Sequence, residues 1–562
     1  MRRRDFSIGL CASAAVCVIS AANAAEEGAS SAPYPQTSQE KAARVTPVNT
    51  GYPPGNVCRY GADPTGRRDS TDAFNAATFH DLDYSLDALL KEIVVPAGRF
   101  TISGTVYVRK GQRLRGEMGS TYVVCNNAGK GPTFKLGWGL IDRQPKSDPG
   151  GQPLSVEALF LLGGPLAGCI DCTVVAGAFL QDLFISAAAL GLNIRDSGDL
   201  NVRNVIFDQG QTGISIVGSQ NCQFSTLKFY LINYDVSVGA GTCDCQWNNC
   251  HSEYNRYSSI LFTDGAAGIR NLKFTDWQYV YNPTDRTHYE TYAGAIHNRA
   301  PGVIARFDAC TFTNMPGYAY VHGTQTGSRL DFANCVFDGE KTIAAYTRST
   351  AAAAIRTMNE SVVLTGCSFR NLTATPIVVD GSLPSELDVS GGDYSGNSGA
   401  TFIQTLNRSP ESRVRIVNLR GDARQSLIND QSAVPVTVRG CEDWFGAVRT
   451  EHSRHYVLIP YQLSNVYEIM LRANVSSDGK PDYLKSVILL AEKDNDRRNG
   501  NRSFITTKVS IQGAAHLNGP VALAVEFGKV GGGTEISQSD FGSLAVSWPD
   551  GYTHESIDIQ IS

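Results

Sequence analysis

The residues best able to do chemistry gather between positions 251 and 299. Glu253, Asp276 and Glu290 lie there with His251, His288, His297, Arg256 and Arg286, interleaved with Trp277, Tyr279, Tyr281, Tyr289 and Tyr292. Cleaving a glycosidic bond by hydrolysis takes two carboxyl groups about 5–10 Å apart, one acid and one base or nucleophile. Glu253, Asp276 and Glu290 are the candidates. Eliminating across a uronic-acid unit takes a base for the C5 proton and a cation on the acid group. His251, His288, Tyr281 or Tyr289 would serve as the base, and Arg256 or Arg286 as the cation. Aromatic faces stack on apolar faces, which gives Trp277, Tyr279, Tyr289 and Tyr292 a sugar-binding role beside His251, Arg256, Arg286 and His297. A solvated turn and tyrosines packed on a wall are the plainer readings of the same residues.

What must position these groups is a degenerate repeat. Short apolar runs ending in a large residue recur at Phe184, Phe207, Phe229, Phe274, Phe312, Phe337, Phe369, Tyr394 and Leu419, in steps of 23, 22, 45, 38, 25, 32, 25 and 25. Second short runs closed by glycine follow several of them, as in the stretches 213–218, 235–241 and 376–381. A unit of this size cannot bury its apolar face alone, and stacking such units can. The expected fold is all-β, a parallel β-helix with Phe207, Phe229, Phe274, Phe312, Phe337 and Phe369 pointing inward and stacking. The step of 45 leaves room for a coil near His251 in which polar residues replace the usual anchor. The step of 38 marks an inserted loop, and binding residues concentrate on loops carried by a rigid scaffold. The expected groove lies between the segment 251–257 and the loop 276–297.

Residues 57–117 carry a second pattern. Tyr60-Gly61-Ala62 precedes a turn, Asp69 to Asp72 supply N-cap residues for a short helix through Phe74 and Ala77, and Val94-Val95-Pro96-Ala97-Gly98 leads into a strand. This block resembles the start of the pectate-lyase-like superfamily of right-handed parallel β-helix proteins. That superfamily includes polysaccharide lyases, polygalacturonase-like hydrolases and phage tailspike depolymerases. The resemblance implies a right-handed β-helix over 55–438 with an N-terminal capping helix, acting on a polysaccharide, and it transfers no catalytic residue. A non-catalytic glycan-binding or surface-assembly protein is the alternative.

The remainder sets bounds. A net charge of −5 points away from nucleic acid, and no apolar run beyond the N-terminus is long enough for a membrane span. Residues 1–24 read as a signal peptide: Arg3-Arg4-Asp5-Phe6 is twin-arginine-like, and Ala22-Asn23-Ala24 offers a cleavage site. The expected location is therefore the bacterial periplasm or outside the cell, as a monomer or homotrimer. Residues 25–54 read as a flexible leader. Residues 441–562 read as a β-rich, sandwich-like domain that caps the helix, binds glycan or mediates trimer contact. Cys310, Cys335 and Cys367 share one repeat position, so they are expected to be buried thiols rather than disulfides. Cys169-x-x-Cys172 and the group Cys243, Cys245 and Cys250 have no matching histidine pair, so no metal site is assigned. No cofactor is expected. Calcium is conceivable but not indicated, because no aspartate cluster recurs on adjacent coils.

Overall fold

The computed structural model describes residues 33–79, 91–281, 294–339 and 354–421, apart from short loop segments, and the backbone of strands beyond them as far as 561. The signal-like segment 1–24 lies outside the described residues. The strands pair in parallel, coil upon coil. Leu154–Leu162, Ala178–Ser186 and Asn201–Asp208 stack in register in the first sheet. A second sheet of 13 strands runs from Val106–Val108 to Ser426–Asp430. Parallel crossovers of twisted strands wind right-handed, and the molecule is a right-handed parallel β-helix, the fold of the superfamily that its N-terminal block resembles.

Successive coils turn a corner in the first sheet at a residue held in the left-handed region. Asp182, Asn204, Thr226, Asn249, Asp276, Ala309 and Asn334 occupy successive rungs of this corner, with φ between 50° and 56°. Asparagine and aspartate tolerate that conformation best among non-glycine residues, and Asn204 Nδ2 donates to Asp182 Oδ1 at 2.7 Å along the ladder.

Inside, side chains form rows parallel to the helix axis. One row runs Phe207, Phe229, Ser252, Tyr279, Phe312, Phe337 and Phe369. Phe207 and Phe229 stack at 5.0 Å, Phe312 and Phe337 at 5.5 Å, and Phe337 and Phe369 at 5.2 Å. The row beside it holds Leu227, Cys250, Trp277, Cys310, Cys335 and Cys367. The three repeat cysteines are buried and unbridged, as their shared position leads one to expect.

Two anchors fall elsewhere than the repeat implies. Phe274 is buried, but it stacks on Trp247 at 4.5 Å and Phe307 at 4.9 Å, on the other side of the corner. The identical Leu-Lys-Phe words at 227–229 and 272–274 therefore sit on different limbs of their coils. Counted within one row, the long steps are Tyr279 to Phe312 and Phe337 to Phe369, so the loop holding 282–293 is one of two insertions. Phe184 points outward, and Ile185 takes the interior place.

The leader expected to be flexible is tied down over its described part. The helix Ser38–Ala42 is closed by a capping box between Thr37 and Glu40. Glu40, fully buried, accepts from Arg59 Nε at 2.6 Å and Nη2 at 2.9 Å, and from the Tyr60 hydroxyl at 2.9 Å. Arg59 also donates to the carbonyls of Tyr34, Pro35 and Tyr52. The helix Thr71–Ala77 then buries Phe74 against Phe100. At the far end, Tyr552–Ile561 pairs antiparallel with Val436–Arg439, so the sheet edge left by the last coil is covered. The remaining C-terminal strands are antiparallel.

Candidate functional site

The strand Gln246–Glu253 alternates about the wall. Cys250 and Ser252 point inward, so His251 and Glu253 point out. It is thus Ser252, not His251, that takes the anchor's place. His251 Nε2 lies 3.5 Å from Glu253 Oε2. The ring of Tyr230, one coil earlier, lies 6.0 Å from the His251 ring. Burial, and then the neighbouring Glu253 charge, raise the Tyr230 phenol above its ordinary range.

Register extends this patch along the axis. Ser186, Asp208, Tyr230, Glu253 and Val280 occupy one outer row, each the strand partner of the next. Asp208 is half-buried, and burial raises its carboxyl, opposed by a 3.3 Å bond from Ser186 Oγ. A second outer row runs Tyr122, Phe160, Phe184, Ile206, Lys228, His251 and Gln278. Its first three rings pack at centroid distances of 5.0 and 5.2 Å, tilted by 38° and 31°. The outer wall therefore carries an aromatic strip that leads to His251, with two carboxylates in the adjoining row.

Several residues chosen from sequence lie elsewhere. Trp277, Tyr279 and Tyr281 are buried in the interior and cannot stack on a ligand. They fall on a strand, Leu272–Val280, or at its end, rather than in the inserted loop. Asp276 sits in the left-handed corner ladder, which accounts for an aspartate there without catalysis. His297 belongs to the second sheet, between Leu261 and Val321, and so is not part of the outer patch with His251. Arg256 is exposed at the turn after the strand, over the Tyr257 ring, and Tyr257 stacks on Tyr234 at 5.4 Å. Arg286, His288, Tyr289, Glu290 and Tyr292 lie outside the described residues, within 282–293. The described chain on either side of them ends a first-sheet strand at Val280 and begins a second-sheet strand at Ile296.

Asp208, Tyr230, Lys228 and the aromatic strip escaped the sequence reading. Their signal was present as the alternate positions flanking each anchor, as in Val205-Ile206-Phe207-Asp208, but the register that aligns them is a property of the stacked coils. Among the described residues, no group of three or more His, Cys, Asp or Glu is placed to hold a metal ion, and no helix is long and apolar enough to cross a membrane.

Fold and patch together describe a parallel β-helix with an aromatic and acidic outer wall. No protein-family model matches the chain, and no curated protein matches it by sequence. Among solved structures it is similar to the tailspike gp61 of Pseudomonas phage phi297, at 10% identity and a TM-score of 0.45, covering 90% of this chain and 98% of that one. It is similar to the A-module of the mannuronan C-5 epimerase AlgE6 of Azotobacter vinelandii, at 11% identity and 0.41, covering 69% and 98%. The Streptococcus pneumoniae surface protein and adhesin PfbA matches at 12% identity and 0.42, covering 62% and 99%. What these proteins do is a property of theirs, and the site in this chain stands on its own residues.

Proposed function

We propose that the protein binds a polysaccharide along this outer wall and hydrolyses it between Asp208 and Glu253. The observation that supports this reading is their placement in one outer row, two coils apart, with Tyr230 between them and His251 against Glu253. Two steps of about 4.8 Å separate their backbones by roughly 10 Å. Side chains leaning toward a bound sugar bring such a pair into the range of about 6.5–9.5 Å that leaves space for an attacking water. Burial raises the Asp208 carboxyl, the direction that favours a proton donor, and Asp208 serves as the acid. Glu253 serves as the base, with His251 orienting it. Phe184, Phe160 and Tyr122 offer aromatic faces to further sugar units. The signal-like segment 1–24 would take this activity to the periplasm or beyond.

A panel of polysaccharides tests the proposal, with both reducing ends and unsaturated-uronate absorbance followed. The expected result is new reducing ends without the absorbance. Asp208→Asn and Glu253→Gln should each lower kcat by about 10²–10⁴-fold while melting like the parent. Parent-like turnover in both variants would move the site elsewhere on the helix. A second reading has one observation in its favour: Lys228 is the strand partner of His251, which puts a cation for a uronate beside a base. Unsaturated product, lost in His251→Ala, would establish that elimination. Retention on a glycan without any product would leave a binding protein.

A further inference from the structure

A buried polar cluster lies between the coil that carries His251 and Glu253 and the coil before it. Asp235 is fully buried there, and so are Ser252, Asn255 and Ser259. The neighbouring coils show why a side chain fits at this place at all. Position 235 follows Gly191 and Gly213 in the second sheet's stack. A Cβ on Gly191 would meet the Phe207 ring at 2.8 Å, and one on Gly213 would meet the Phe229 ring at 2.8 Å. In each case the obstructing ring belongs to the next coil. For Asp235 the corresponding residue of the next coil is Ser252, so the missing ring leaves the space that the carboxyl group fills.

Asp235, Ser252 and Asn255 close a ring of contacts, and Ser259 joins it at Asp235. Ser252 Oγ lies 2.5 Å from Asp235 Oδ2 and 2.7 Å from Asn255 Oδ1. Asn255 Nδ2 lies 2.5 Å from Asp235 Oδ1, and Ser259 Oγ lies 2.6 Å from Asp235 Oδ2. Protons can be counted around it. Ser252 has a single hydroxyl proton and faces two acceptors if Asp235 is ionised. Turning the Asn255 amide over gives Ser252 a donor but sets two oxygens, of Asn255 and Asp235, against each other at the same short distance. In either orientation one proton is lacking, and a protonated Asp235 supplies it.

We propose that Asp235 is held as the neutral acid and is the positioning residue for the site, locking Ser252 and Asn255 so that His251 and Glu253 are presented from a fixed strand end. Ser252 lies between the two outward residues. Asn255 follows Tyr254, whose φ of 62° marks the turn off the strand. Among the described residues no lysine or arginine is bonded to the ring. Burial, opposed by the bonds from Ser252, Ser259 and Asn255, pushes the Asp235 carboxyl up to about 7. On the strands packed around it the Cys250 thiol, itself pushed up by burial to about 12, and the Tyr279 phenol face inward, while His251, Glu253, Lys228 and Tyr230 face outward. Because the folded carboxyl titrates above its unfolded range, its contribution is complete below about pH 4 and is lost as pH rises through about 7. The catalytic part of this inference rests on the hydrolase reading, whereas the proton on Asp235 does not.

Hydrogen exchange of the full-length protein, resolved to the peptide spanning 250–260, tests it from pH 4 to 8 in the parent, Asp235→Asn and Asp235→Ala. Asp235→Asn mimics the neutral acid and should keep protection throughout. The parent should lose protection relative to that variant by up to about tenfold per pH unit between pH 4 and 7. Asp235→Ala should be unprotected across the range. Should that variant fail to fold, the parent-to-asparagine comparison still decides. A ratio that stays flat with pH would overturn the proposal. If an identified glycan is cleaved, parent kcat should fall through pH 7 with KM unchanged, and Asp235→Asn should lack that limb. Pitched protection without cleavage of any glycan would retain the positioning ring and discard the hydrolase; cleavage with flat protection would do the reverse.

Discussion

Two fully buried carboxyl groups, Glu40 in the N-terminal cap and Asp235 in the coil under the candidate site, end in opposite charge states. Burial alone would raise both. At Glu40 it is overcome by bonds from Arg59, the Thr37 backbone and Tyr60, and the carboxyl is held down at about 2. At Asp235 the partners are two hydroxyls and an amide, burial prevails, and the carboxyl rises to about 7. The difference lies in what the chain brings to each pocket: a guanidinium with its own carbonyl partners in one, small neutral donors in the other. A buried charge survives where an opposite charge is buried with it, and otherwise the group keeps its proton. The two therefore respond to pH with opposite sign. The Glu40 contribution is present above its unfolded range near 4.5 and is lost as pH falls toward 2, while that of Asp235 is lost as pH rises.

Removing the cation is the strongest way to break this contrast. Arg59→Met leaves Glu40 buried without its guanidinium and strands the carbonyls of Tyr34, Pro35 and Tyr52. Breaking a buried pair from one side costs about 3–5 kcal/mol. Chemical denaturation should show that loss in the transition of the cap, and limited proteolysis should open residues 33–54 first. Adding Glu40→Gln should restore part of it. Equal stability of the Arg59→Met variant and its parent would mean that Glu40 tolerates burial for the same reason as Asp235.

A smaller effect is expected from filling the space that Asp235 alone enjoys. Gly213→Ala places a methyl 2.8 Å from the Phe229 ring and 2.7 Å from the Asp235 carbonyl oxygen. Overpacking of this kind costs about 1–3 kcal/mol. The melting temperature should fall, and the spectrum of the aromatic row should change. An unchanged melting temperature would show that the row yields, and that steric room did not decide where the polar ring formed.

Legibility from sequence follows the same division. The parallel β-helix was readable because Phe207, Phe229, Phe312, Phe337 and Phe369 repeat a packing requirement locally. The thiol row was readable because three cysteines precede three of those rings. The site was less so. His251 and Glu253 could be picked out as an interruption of the anchors, yet Trp277, Tyr279 and Tyr281 seemed part of a loop. Aromatic residues in a β-helix serve interior stacks and outer platforms alike, and only register tells which. Phe184, a marker of the period, lies on the outer wall, and Asp208 becomes a partner of Glu253 only once two coils are superposed. Asp235 gave no local signal, because its role depends on a serine seventeen residues away.

A second acid–arginine contact isolates burial from geometry. Arg415 Nη1 lies 2.9 Å from Asp388 Oδ2, the same separation as Arg59 Nη2 from Glu40 Oε2. The side chains of the outer pair are 52% and 25% exposed, whereas both members of the inner pair are at 0%. Water already solvates the outer charges, so little is gained by bringing them together, and ordering two long side chains offsets part of that. Such pairs contribute about 0–1 kcal/mol and weaken with salt. Arg415→Ala should thus shift the denaturation midpoint barely at all in low salt and not at all in high salt, while Arg59→Met keeps its full penalty in both. Were Arg415→Ala to cost as much as Arg59→Met, proximity alone would govern these pairs, and the opposite protonation of Glu40 and Asp235 would need a cause other than the cation buried beside one and missing from the hydrogen-bonded ring of the other.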